Sequence, residues 1–366
     1  MKIDFTDFKS EFKFFEKDLV KKFKFIGRKG DFILGQELVK FEKKISKFLN
    51  VKYVLGIGNW TEGMIMSCKA LNFNKDDEII TVSNSFIATC GAIAYADCKP
   101  ILVDVDETLN MDVNLIEKKI TKKTKAIMPV HLSGIPSNIT QIKKIAKKYN
   151  LIFIEDAAHA FGGTYKGKYL GTLGDIGIFS LHPRKNFHVL GDGGLIVTNN
   201  KKLYQKLKLL RNHGLRNRNL SITWGTNSRL DNIQAGFANI MLKKIVKLNN
   251  KFYDIANYYT KNLKNYVQTP IFEKKISKPT FHQYIIRTKK RDSLKKFLLN
   301  KGIQTAIHYP LPIHRQPAFI KSYGKIQLKK TEDYSKEILS LPIHNFLTKK
   351  ELIYITKNIQ QFFKKN

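Results

Sequence analysis

A regular alternation of short apolar runs with helical segments, between residues 50 and 200, most constrains how this chain can fold. Each run is five to seven residues long and rich in Val and Ile, with turn residues nearby. Continuous apolar runs of this kind are typical of strands that are buried on both faces of a parallel sheet. The pattern therefore predicts an α/β fold with a mostly parallel sheet covered by helices. The predicted strands are 53–57, 78–82, 101–105, 125–130, 151–156, 174–180 and 194–199.

The remainder of the chain predicts a second, smaller unit. Residues 201–213 and 231–264 have helical periodicity, and residues 265–366 combine shorter strands and helices with several prolines. A chain of 366 residues is long enough for one large and one small domain. We therefore predict a large α/β domain over residues 1–250, and a small C-terminal α+β domain over residues 251–366.

The net charge of +35, from 65 basic and 30 acidic side chains, suggests an anionic partner. Nucleic acid, an anionic membrane surface and an anionic substrate would each suit such a charge. Only 9 of the basic residues are arginine, and the 56 lysines are spread over the whole chain. Proteins that read bases and phosphates favour arginine for its bidentate fork, so no nucleic-acid partner is predicted. The basic surface favours encounter with an anionic substrate.

The N-terminal segment contains no apolar run long enough for a signal peptide. Its apolar positions Phe8, Phe12, Phe15, Leu19 and Phe23 recur at helical spacing and predict an amphipathic helix packed on the protein core. A basic amphipathic helix could instead lie on a membrane, but no stretch approaches a transmembrane span and no membrane partner is predicted. The three cysteines have no metal-ligand spacing, which predicts reduced thiols, no metal site and a cytoplasmic protein.

Three segments at the ends of predicted strands carry polar residues. IEDAAHAFGG ends one strand with two carboxylates, of which Asp156 is the second. FSLHPRKNFHVLGDGG supplies Ser180, Lys185 and a glycine-rich turn, and GIGNWTEGM leads from a strand to a helix start near Thr61. Because ligands bind at the carboxyl ends of parallel strands, we expect these groups to lie together.

A lysine, an acid and a helix start at one sheet edge match the requirements of pyridoxal phosphate (PLP). The lysine would bind the cofactor covalently, the acid would keep the pyridine nitrogen protonated, and the helix start would hold the phosphate. Each signal alone is weak, because Lys185 is one of 56 lysines, Asp156 could be structural, and helix starts such as GNWTEG are common. Their order and spacing carry the prediction.

The order of these motifs resembles that of the DegT/DnrJ/EryC1/StrS family of sugar aminotransferases. The resemblance implies fold type I of the PLP-dependent enzymes, and it covers nearly the whole chain. The matching segments run from GQELVKFE to LSLPIH, and include NSFIAT, PVHLSG, EDAAHAFGGTYKGKYLGTLGD, RNHG, NSRLDNIQA and HYPLPIH.

The resemblance implies a role for each matching residue. Lys185 would bind PLP and move the proton of the transfer reaction, and Asp156 would pair with the pyridine nitrogen. His159 would contact the phenolic oxygen, and Phe86 would stack on the ring; either could instead be an ordinary core residue. The residues implied to contact the phosphate are Thr61, Glu62, Ser180 and, from the neighbouring subunit, Asn227.

The resemblance also implies a homodimer with shared active sites and a reaction in two halves. An amino acid, expected to be glutamate, would convert PLP to pyridoxamine phosphate (PMP), which would then aminate a keto-sugar. The usual acceptor is anionic and nucleotide-linked, and the products serve amino-sugar and surface polysaccharide biosynthesis. The candidate substrate residues are Arg229, His308, Tyr309 and His188.

Three residues depart from the common family pattern beside the expected cofactor. Trp60 precedes Thr61 where a glycine is usual, and such a bulky residue needs a negative φ or strain. Asp192 stands where a common version has Glu, and His188 is unusual in its loop. These departures suggest an unusual acceptor, such as a keto-sugar acid that is not linked to a nucleotide.

Three alternative functions would each require sequence features that do not match this chain. The PMP-dependent sugar dehydratases of the same family lack the lysine, whereas Lys185 is present. A fold type I desulfurase or decarboxylase would need a mobile catalytic cysteine or a carboxylate-binding arginine, and no loop residue suits either role. A nucleic-acid-binding protein on this scaffold would need a helix-turn-helix or a basic arm, and neither is evident.

Overall fold

The computed structural model describes residues 1–365, and a seven-stranded sheet forms its centre. The sheet has the order β1-β9-β8-β5-β4-β2-β3. The strands are β1 (Tyr53–Ile57), β2 (Glu78–Val82), β3 (Lys99–Val103), β4 (Thr124–Ile127), β5 (Ile152–Asp156), β6 (Thr164–Tyr165), β7 (Lys168–Tyr169), β8 (Ile176–Ser180), β9 (Gly194–Thr198), β10 (Leu215–Asn217), β11 (Leu220–Ser221), β12 (Ser277–Lys278), β13 (Tyr284–Arg287) and β14 (Ile338–Leu341).

Helices surround this sheet and build the C-terminal part of the chain. Several begin with an Asn or Asp whose side chain accepts a hydrogen bond from a backbone N–H of the first turn, which satisfies a donor that the helix leaves free. The helices are α1 (Phe8–Lys29), α2 (Gln36–Leu49), α3 (Trp60–Ala70), α4 (Ala88–Tyr95), α5 (Ile139–Lys148), α6 (Lys201–Leu210), α7 (Asn232–Leu242), α8 (Ile245–Leu263), α9 (Arg291–Asn300), α10 (Pro317–Tyr323), α11 (Lys329–Glu337) and α12 (Lys349–Lys365).

The central sheet is mostly parallel, as the apolar runs predict. Only β9 runs against its neighbours, pairing antiparallel with both β1 and β8, while the other adjacent strands pair in parallel. Buried side chains of α2, α5 and α7 pack on one face, and those of α3, α4 and α6 pack on the other. The predicted α/β class is therefore confirmed. The carboxyl ends of β5 and β8 lie side by side, which brings their following loops together.

Two predicted helical segments differ from the structure. The strand–helix alternation also predicts a helix near 112–119, where the structure instead has two single 3-10 turns, Val113–Leu115 and Glu117–Lys119. The helical segment predicted over 231–264 divides into α7 and α8, with Lys243 and Lys244 between them. Neither difference moves a strand end that carries candidate site residues.

The C-terminal part of the chain has a hydrophobic cluster of its own. Buried residues of α8, α9 and α12 pack against the antiparallel pair β13 and β14, and Ile3 from the N-terminal segment joins them. Tyr259 and Tyr284 are among the largest fully buried side chains of this cluster. Helix α8 runs across residue 250, so the boundary between the two predicted domains stays a prediction.

The predicted N-terminal helix is present as α1, but its buried side is narrower than expected. Phe8, Phe12 and Phe23 are 43%, 47% and 62% exposed, so the prediction that all five apolar positions pack on the core is wrong for these three. The buried side chains of α1 are Phe15, Leu19 and Ile26, because the helix meets α7 along one stripe only. Within residues 1–365, no helix has the length and apolar character needed to cross a membrane.

Candidate active site

A cavity of about 540 Å³ opens at the carboxyl ends of β5 and β8. Its walls come from both parts of the chain, including the first turn of α3, the loops after β5 and β8, and a segment between α9 and α10. Eight of the residues predicted to contact cofactor or substrate line it. They are Thr61, Phe86, Asp156, His159, Ser180, Lys185, His308 and Tyr309.

Asp156 ends β5 and points its carboxylate into this cavity. The side chain is 3% exposed, and only two donors reach it: the Ala158 N–H at 3.1 Å from Oδ1 and the Thr89 hydroxyl at 3.5 Å from Oδ2. Burial raises the pKa of Asp156 to about 6. The protein therefore supplies few hydrogen-bond donors to this carboxylate, which can accept a further strong hydrogen bond from a ligand.

Lys185 lies in the loop that follows β8, on the wall of the same cavity. Burial lowers its pKa to about 8, while the negative charge of Asp156 opposes that shift. A lysine with a pKa of about 8 is neutral in about one molecule in ten at pH 7, far more often than an ordinary lysine. The amine can therefore act as a nucleophile and as a proton acceptor.

Hydrogen bonds define the protonation of two histidines beside Lys185. The Ser133 N–H donates to His159 Nδ1 at 3.2 Å, and burial lowers the pKa of His159 well below its usual range, so the neutral ring carries its proton on Nε2. His282 Nδ1 lies 3.0 Å from Asn186 Oδ1 and donates to it, because the Asn186 amide nitrogen itself donates to a backbone carbonyl. The ring centroids are 4.4 Å apart. The cavity therefore presents one imidazole donor beside one imidazole acceptor.

The first turn of α3 provides backbone and hydroxyl groups at the cavity wall. Thr61 lines the cavity, but Glu62 does not, and the Glu62 N–H donates to the capping Asn59 Oδ1 at 2.9 Å. The predicted contact between Glu62 and the cofactor phosphate stays a prediction, and its N–H has the Asn59 cap as a partner. Ser180 also lines the cavity, and its oxygen accepts from the His182 N–H at 3.3 Å, which leaves the hydroxyl proton free to donate.

Trp60 is accommodated without backbone strain, since it is the first residue of α3 and has no positive φ. Its indole is 7% exposed and packs in the core cluster on the α3 side of the sheet. The indole Nε1 has no hydrogen-bond partner within the described residues. The Trp60 side chain therefore fills space beside the cavity that a smaller residue would leave open.

Phe86 lies at the cavity and not in a helix core. It precedes α4, is 57% exposed, and its ring centroid is 6.0 Å from that of Tyr309. An exposed aromatic face at a cavity offers a flat surface on which a planar ligand can stack. His308 also lines the cavity. Its Nδ1 lies 2.9 Å from Ser340 Oγ, and burial lowers the pKa of His308 to about 4.

Three candidate residues lie outside this cavity. His188 is 3% exposed, and its Nε2 lies 3.1 Å from Glu11 Oε1 on α1, so the prediction that it faces substrate is corrected. Arg229 donates from Nη1 to Asn212 Oδ1 at 3.3 Å. Asn227 is exposed and forms a bridge with Asn212. The predicted role of Asn227 concerns a neighbouring subunit and stays a prediction.

Several residues of the cavity were not identified from the sequence. The loop after β8 contributes His182 and Arg184 beside Lys185, and both stand in the motif that the sequence already highlighted. Further cavity residues come from distant segments, where no motif linked them to the site. These are Phe5, Thr6, Asp7 and Phe8 near the N-terminus, His282 and Gln283 before β13, and His344, Asn345 and Phe346.

Glu155, next to Asp156 on β5, is enclosed on the opposite side of the strand. Its carboxylate accepts hydrogen bonds from the N–H groups of Gly171, Leu173 and Gly174 at 2.6–2.9 Å. His131 Nε2 adds a fourth donor at 3.0 Å. Gly171 has φ +83°, a conformation that favours glycine and lets the backbone curl around this carboxylate. All of these contacts are internal, so Glu155 is a structural residue.

A second polar cluster resembles a nucleophilic triad but has no access to substrate. Ser83 Oγ lies 2.6 Å from His314 Nδ1, and His314 Nε2 lies 3.0 Å from Glu332 Oε1. Ser83 and His314 are both 0% exposed and line none of the described cavities. The cluster joins the segment before α10 to the end of β2. It therefore does not support a hydrolase.

The groups around the cavity fit PLP. A buried acid with spare acceptor capacity suits the pyridine nitrogen, a lysine with a lowered pKa suits covalent attachment, and a helix start with a free hydroxyl suits the phosphate. Within residues 1–365, no three His, Cys, Asp or Glu side chains are grouped as a metal ion would require. The chemistry of the donor set is that of a PLP site.

Comparisons with known proteins agree with this geometry. The DegT/DnrJ/EryC1/StrS aminotransferase family matches residues 15–360. The chain is 36% identical over 369 residues to a protein of Geobacillus stearothermophilus named pleiotropic regulatory protein, covering 100% of this chain and 99% of that protein. It is 35% identical over 363 residues to the dTDP-3-amino-3,6-dideoxy-alpha-D-galactopyranose transaminase of Aneurinibacillus thermoaerophilus, covering 98% of this chain and 99% of that enzyme.

Solved structures share the whole architecture. S. venezuelae DesV, crystallised with a ketimine intermediate, superposes with a TM-score of 0.96 at 29% identity, and the match covers 99% of both chains. NtdA of Bacillus subtilis, crystallised with PMP, superposes with a TM-score of 0.91 at 31% identity. That match covers 99% of this chain and 85% of the other.

Proposed function

Because the chain belongs to the DegT/DnrJ/EryC1/StrS aminotransferase family, we propose that it transfers the amino group of glutamate to an anionic, nucleotide-linked keto-sugar. The family membership makes the protein a PLP-dependent aminotransferase, so the predicted family, fold type, enzyme class and cofactor are confirmed. The observation that carries the proposal is that Lys185 and Asp156 reach one cavity from adjacent parallel strands.

The cofactor, when bound, supplies an electron sink and carries the amino group between the two substrates. Asp156 would hold a proton at the pyridine nitrogen, since its carboxylate has acceptor capacity to spare. Lys185 would bind the cofactor covalently and then move a proton at the reacting carbon. Its lowered pKa supports the second task, because a proton carrier works best when its pKa lies near the working pH.

The remaining cavity residues would orient the cofactor. His159 Nε2–H is a donor that suits the phenolic oxygen, because the Ser133 N–H already occupies Nδ1. Ser180 and Thr61 would donate to the phosphate at the start of α3, and Phe86 would stack on the ring face. His308 and Tyr309 would line the acceptor side of the cavity, opposite the strand ends.

Two observations support an anionic sugar as the acceptor. The transaminase of A. thermoaerophilus carries a dTDP-sugar in its name, and it matches 98% of this chain. The net charge of +35 also favours encounter with an anion. Trp60 and Asp192 both line the cavity and would narrow the acceptor site. A free keto-sugar acid, which is smaller than a nucleotide-linked sugar, is therefore the alternative acceptor. In either case the product is an amino sugar of the kind used in polysaccharide biosynthesis.

The purified protein should be yellow, and its absorbance band should disappear when glutamate is added. A panel of keto-sugars, with and without a nucleotide, should then restore the band as the amino group leaves. Restoration by nucleotide-linked sugars alone would support the proposed acceptor, and restoration by free sugar acids alone would support the alternative. A band that no amino acid bleaches would contradict the proposal.

We also propose a homodimer in which the subunits share active sites. Two observations support a dimer. Asn227 is exposed and does not line the cavity of its own chain, so it is available to a neighbouring subunit. Apolar side chains near it in sequence are exposed as well, including Trp224 at 94% exposure. Mixing a Lys185→Ala variant with an Asn227→Ala variant should restore activity, because some dimers then contain one site without either change. Equal mixtures that stay inactive would contradict shared sites.

A regulatory function is a second candidate, because one relative is named a pleiotropic regulatory protein. If it bound DNA, its affinity would fall steeply with salt concentration. We expect only weak, millimolar binding at physiological salt, since lysine dominates the basic residues. Submicromolar, salt-dependent binding to a defined DNA would support this second function. A sugar dehydratase is disfavoured by the presence of Lys185. The three free cysteines support a cytoplasmic location, where thiols stay reduced.

A further inference from the structure

Arg184 is an unpaired cation at the cavity that the proposed mechanism does not use. Four other arginines pair with carboxylates at 2.6–3.8 Å: Arg211, Arg287, Arg291 and Arg315. No carboxylate of residues 1–365 pairs in this way with Arg184, although the side chain is exposed and lines the same cavity as Lys185. Such a guanidinium has all of its N–H donors available to a ligand.

The acidic residues of the cavity are mostly engaged elsewhere. Asp7 caps α1 by accepting from the Ser10 N–H at 2.9 Å, and Glu11 Oε1 lies 3.1 Å from His188 Nε2. Asp156 lines the same cavity as Lys185, and its negative charge opposes the lowering of that lysine's pKa by burial. Apart from Asp192, no carboxylate on the described wall is left to neutralise Arg184. Asp192 acts on the neighbouring His182, and the exposed Arg184 guanidinium keeps its donors for an anionic ligand.

His182 places a second donor beside this guanidinium. The backbone N–H of Arg184 donates to His182 Nδ1 at 3.2 Å, and burial lowers the pKa of His182, with the charge of Lys185 adding to that effect. The neutral ring therefore carries its proton on Nε2, where it can donate to an oxygen. The side chains of His182 and Arg184 line the cavity from one short loop. Together they provide a forked cation and a neutral N–H donor.

We propose that Arg184 and His182 form an anion-binding site that holds a phosphate or carboxylate group of the substrate beside Lys185. This inference rests on the proposed function for the identity of the substrate. Arg184 and Lys185 line the same cavity, and both charges act on His308, so an anion bound at Arg184 lies in the cavity that contains the reacting amine. A planar guanidinium binds both anion types through two parallel hydrogen bonds. The site would therefore select substrates that carry an anionic group near the reacting carbon.

The test compares Arg184→Gln, Arg184→Lys and wild type as PLP-bound enzymes, with Arg28→Gln as a control for loss of an exposed arginine. Inorganic phosphate is the probe, and its affinity is measured by thermal shift at constant ionic strength. Loss of a charge-assisted hydrogen bond should weaken phosphate binding about 10- to 100-fold in Arg184→Gln. Arg184→Lys should recover part of that loss, and Arg28→Gln should bind phosphate as wild type does.

Substrate kinetics then identify the source of the anion. A raised KM for glutamate with an unchanged acceptor KM would assign the site to the donor carboxylate, and the reverse would assign it to a phosphate or carboxylate of the acceptor. Phosphate affinity and both KM values within about twofold of wild type would overturn the inference. So would a loss of PLP affinity alone, because Arg184 would then hold the cofactor.

The phosphate measurement also separates this inference from the proposed function. If neither glutamate nor any keto-sugar changes the absorbance of wild type, the proposed function fails. The phosphate affinities of wild type and Arg184→Gln still decide whether the anion site exists.

Discussion

Two neighbouring carboxylates on β5 occupy opposite environments. Glu155 is 0% exposed and accepts four hydrogen bonds, from three backbone N–H groups and His131. Asp156 is 3% exposed but accepts only two, one of them at 3.5 Å, and it faces the cavity that contains Lys185. Burial alone does not distinguish them. The number of donors already supplied by the protein does.

The comparison shows how a buried charge can be assigned a role. Water removed from a carboxylate must be replaced by donors, or the charged form becomes costly. Around Glu155 the protein supplies all the donors, and the carboxylate holds the loop 171–174 in place. Around Asp156 the protein leaves capacity for a ligand, and burial raises the pKa of Asp156 to about 6. The histidines follow the same rule, since both ring nitrogens of His131 are used inside the protein.

The largest effect is expected from the cavity side of this comparison, at Lys185. A Lys185→Ala variant should lose the cofactor adduct that borohydride reduces, and its turnover should fall by at least about 1000-fold because a nucleophile and proton carrier are removed together. Absorbance spectra and mass measurement after reduction check the result. A variant that keeps the reducible adduct would show that another lysine binds the cofactor.

Conservative changes at the two carboxylates should separate activity from stability. Asp156→Asn should reduce turnover by about 100-fold or more without destabilising the folded protein at neutral pH, because the pyridine nitrogen loses its anionic partner. Glu155→Gln should instead destabilise the protein by about 3 kcal/mol while its folded molecules remain active, because the surrounding N–H groups lose part of their acceptor. Denaturation curves and turnover per folded molecule measure both effects. The opposite outcome, with activity lost at Glu155, would exchange the two roles.

The stability of the cofactor-free protein should depend on pH through Asp156. Because its pKa rises from 3.8 in the unfolded chain to about 6, the stability that this group contributes is full below pH 3.8 and is lost as the pH rises through 6. An asparagine at this position does not titrate. Between about pH 4 and pH 7, wild type should therefore lose up to about 3 kcal/mol relative to Asp156→Asn. Parallel pH dependences of unfolding for the two proteins would show that Asp156 has an ordinary pKa.

The smallest effect on activity is expected at His188, on the side away from substrate. His188→Gln should change the KM values by less than about twofold, because the ring faces Glu11 and α1. The lost buried contact should destabilise the protein by about 1 kcal/mol, which denaturant unfolding can measure. A selective rise in acceptor KM would restore the original prediction that His188 faces substrate.

The strands and the groups at their ends were predictable from local sequence. Continuous apolar runs identify buried parallel strands, and the carboxyl ends of such strands meet at one edge, so Asp156, Ser180 and Lys185 could be placed together. The helix start at Thr61 belonged to the same predicted edge, and the resemblance to a family added His159 and Phe86. Neither source revealed the contacts of Glu62 and His188, because these depend on the Asn59 cap and on the packing of α1.

The sequence by itself determined the α/β class, the family and the lysine and acid at the strand ends, because these depend on periodicity and short motifs. Only the tertiary structure decided which groups complete the cavity. Residues from the N-terminal segment, from the turn before β13 and from the segment after β14 meet there across hundreds of positions. The tertiary structure also decided which buried charges are satisfied. Hydrogen-bond partners such as Gly171 for Glu155 are chosen by the folded geometry, and no local pattern records them.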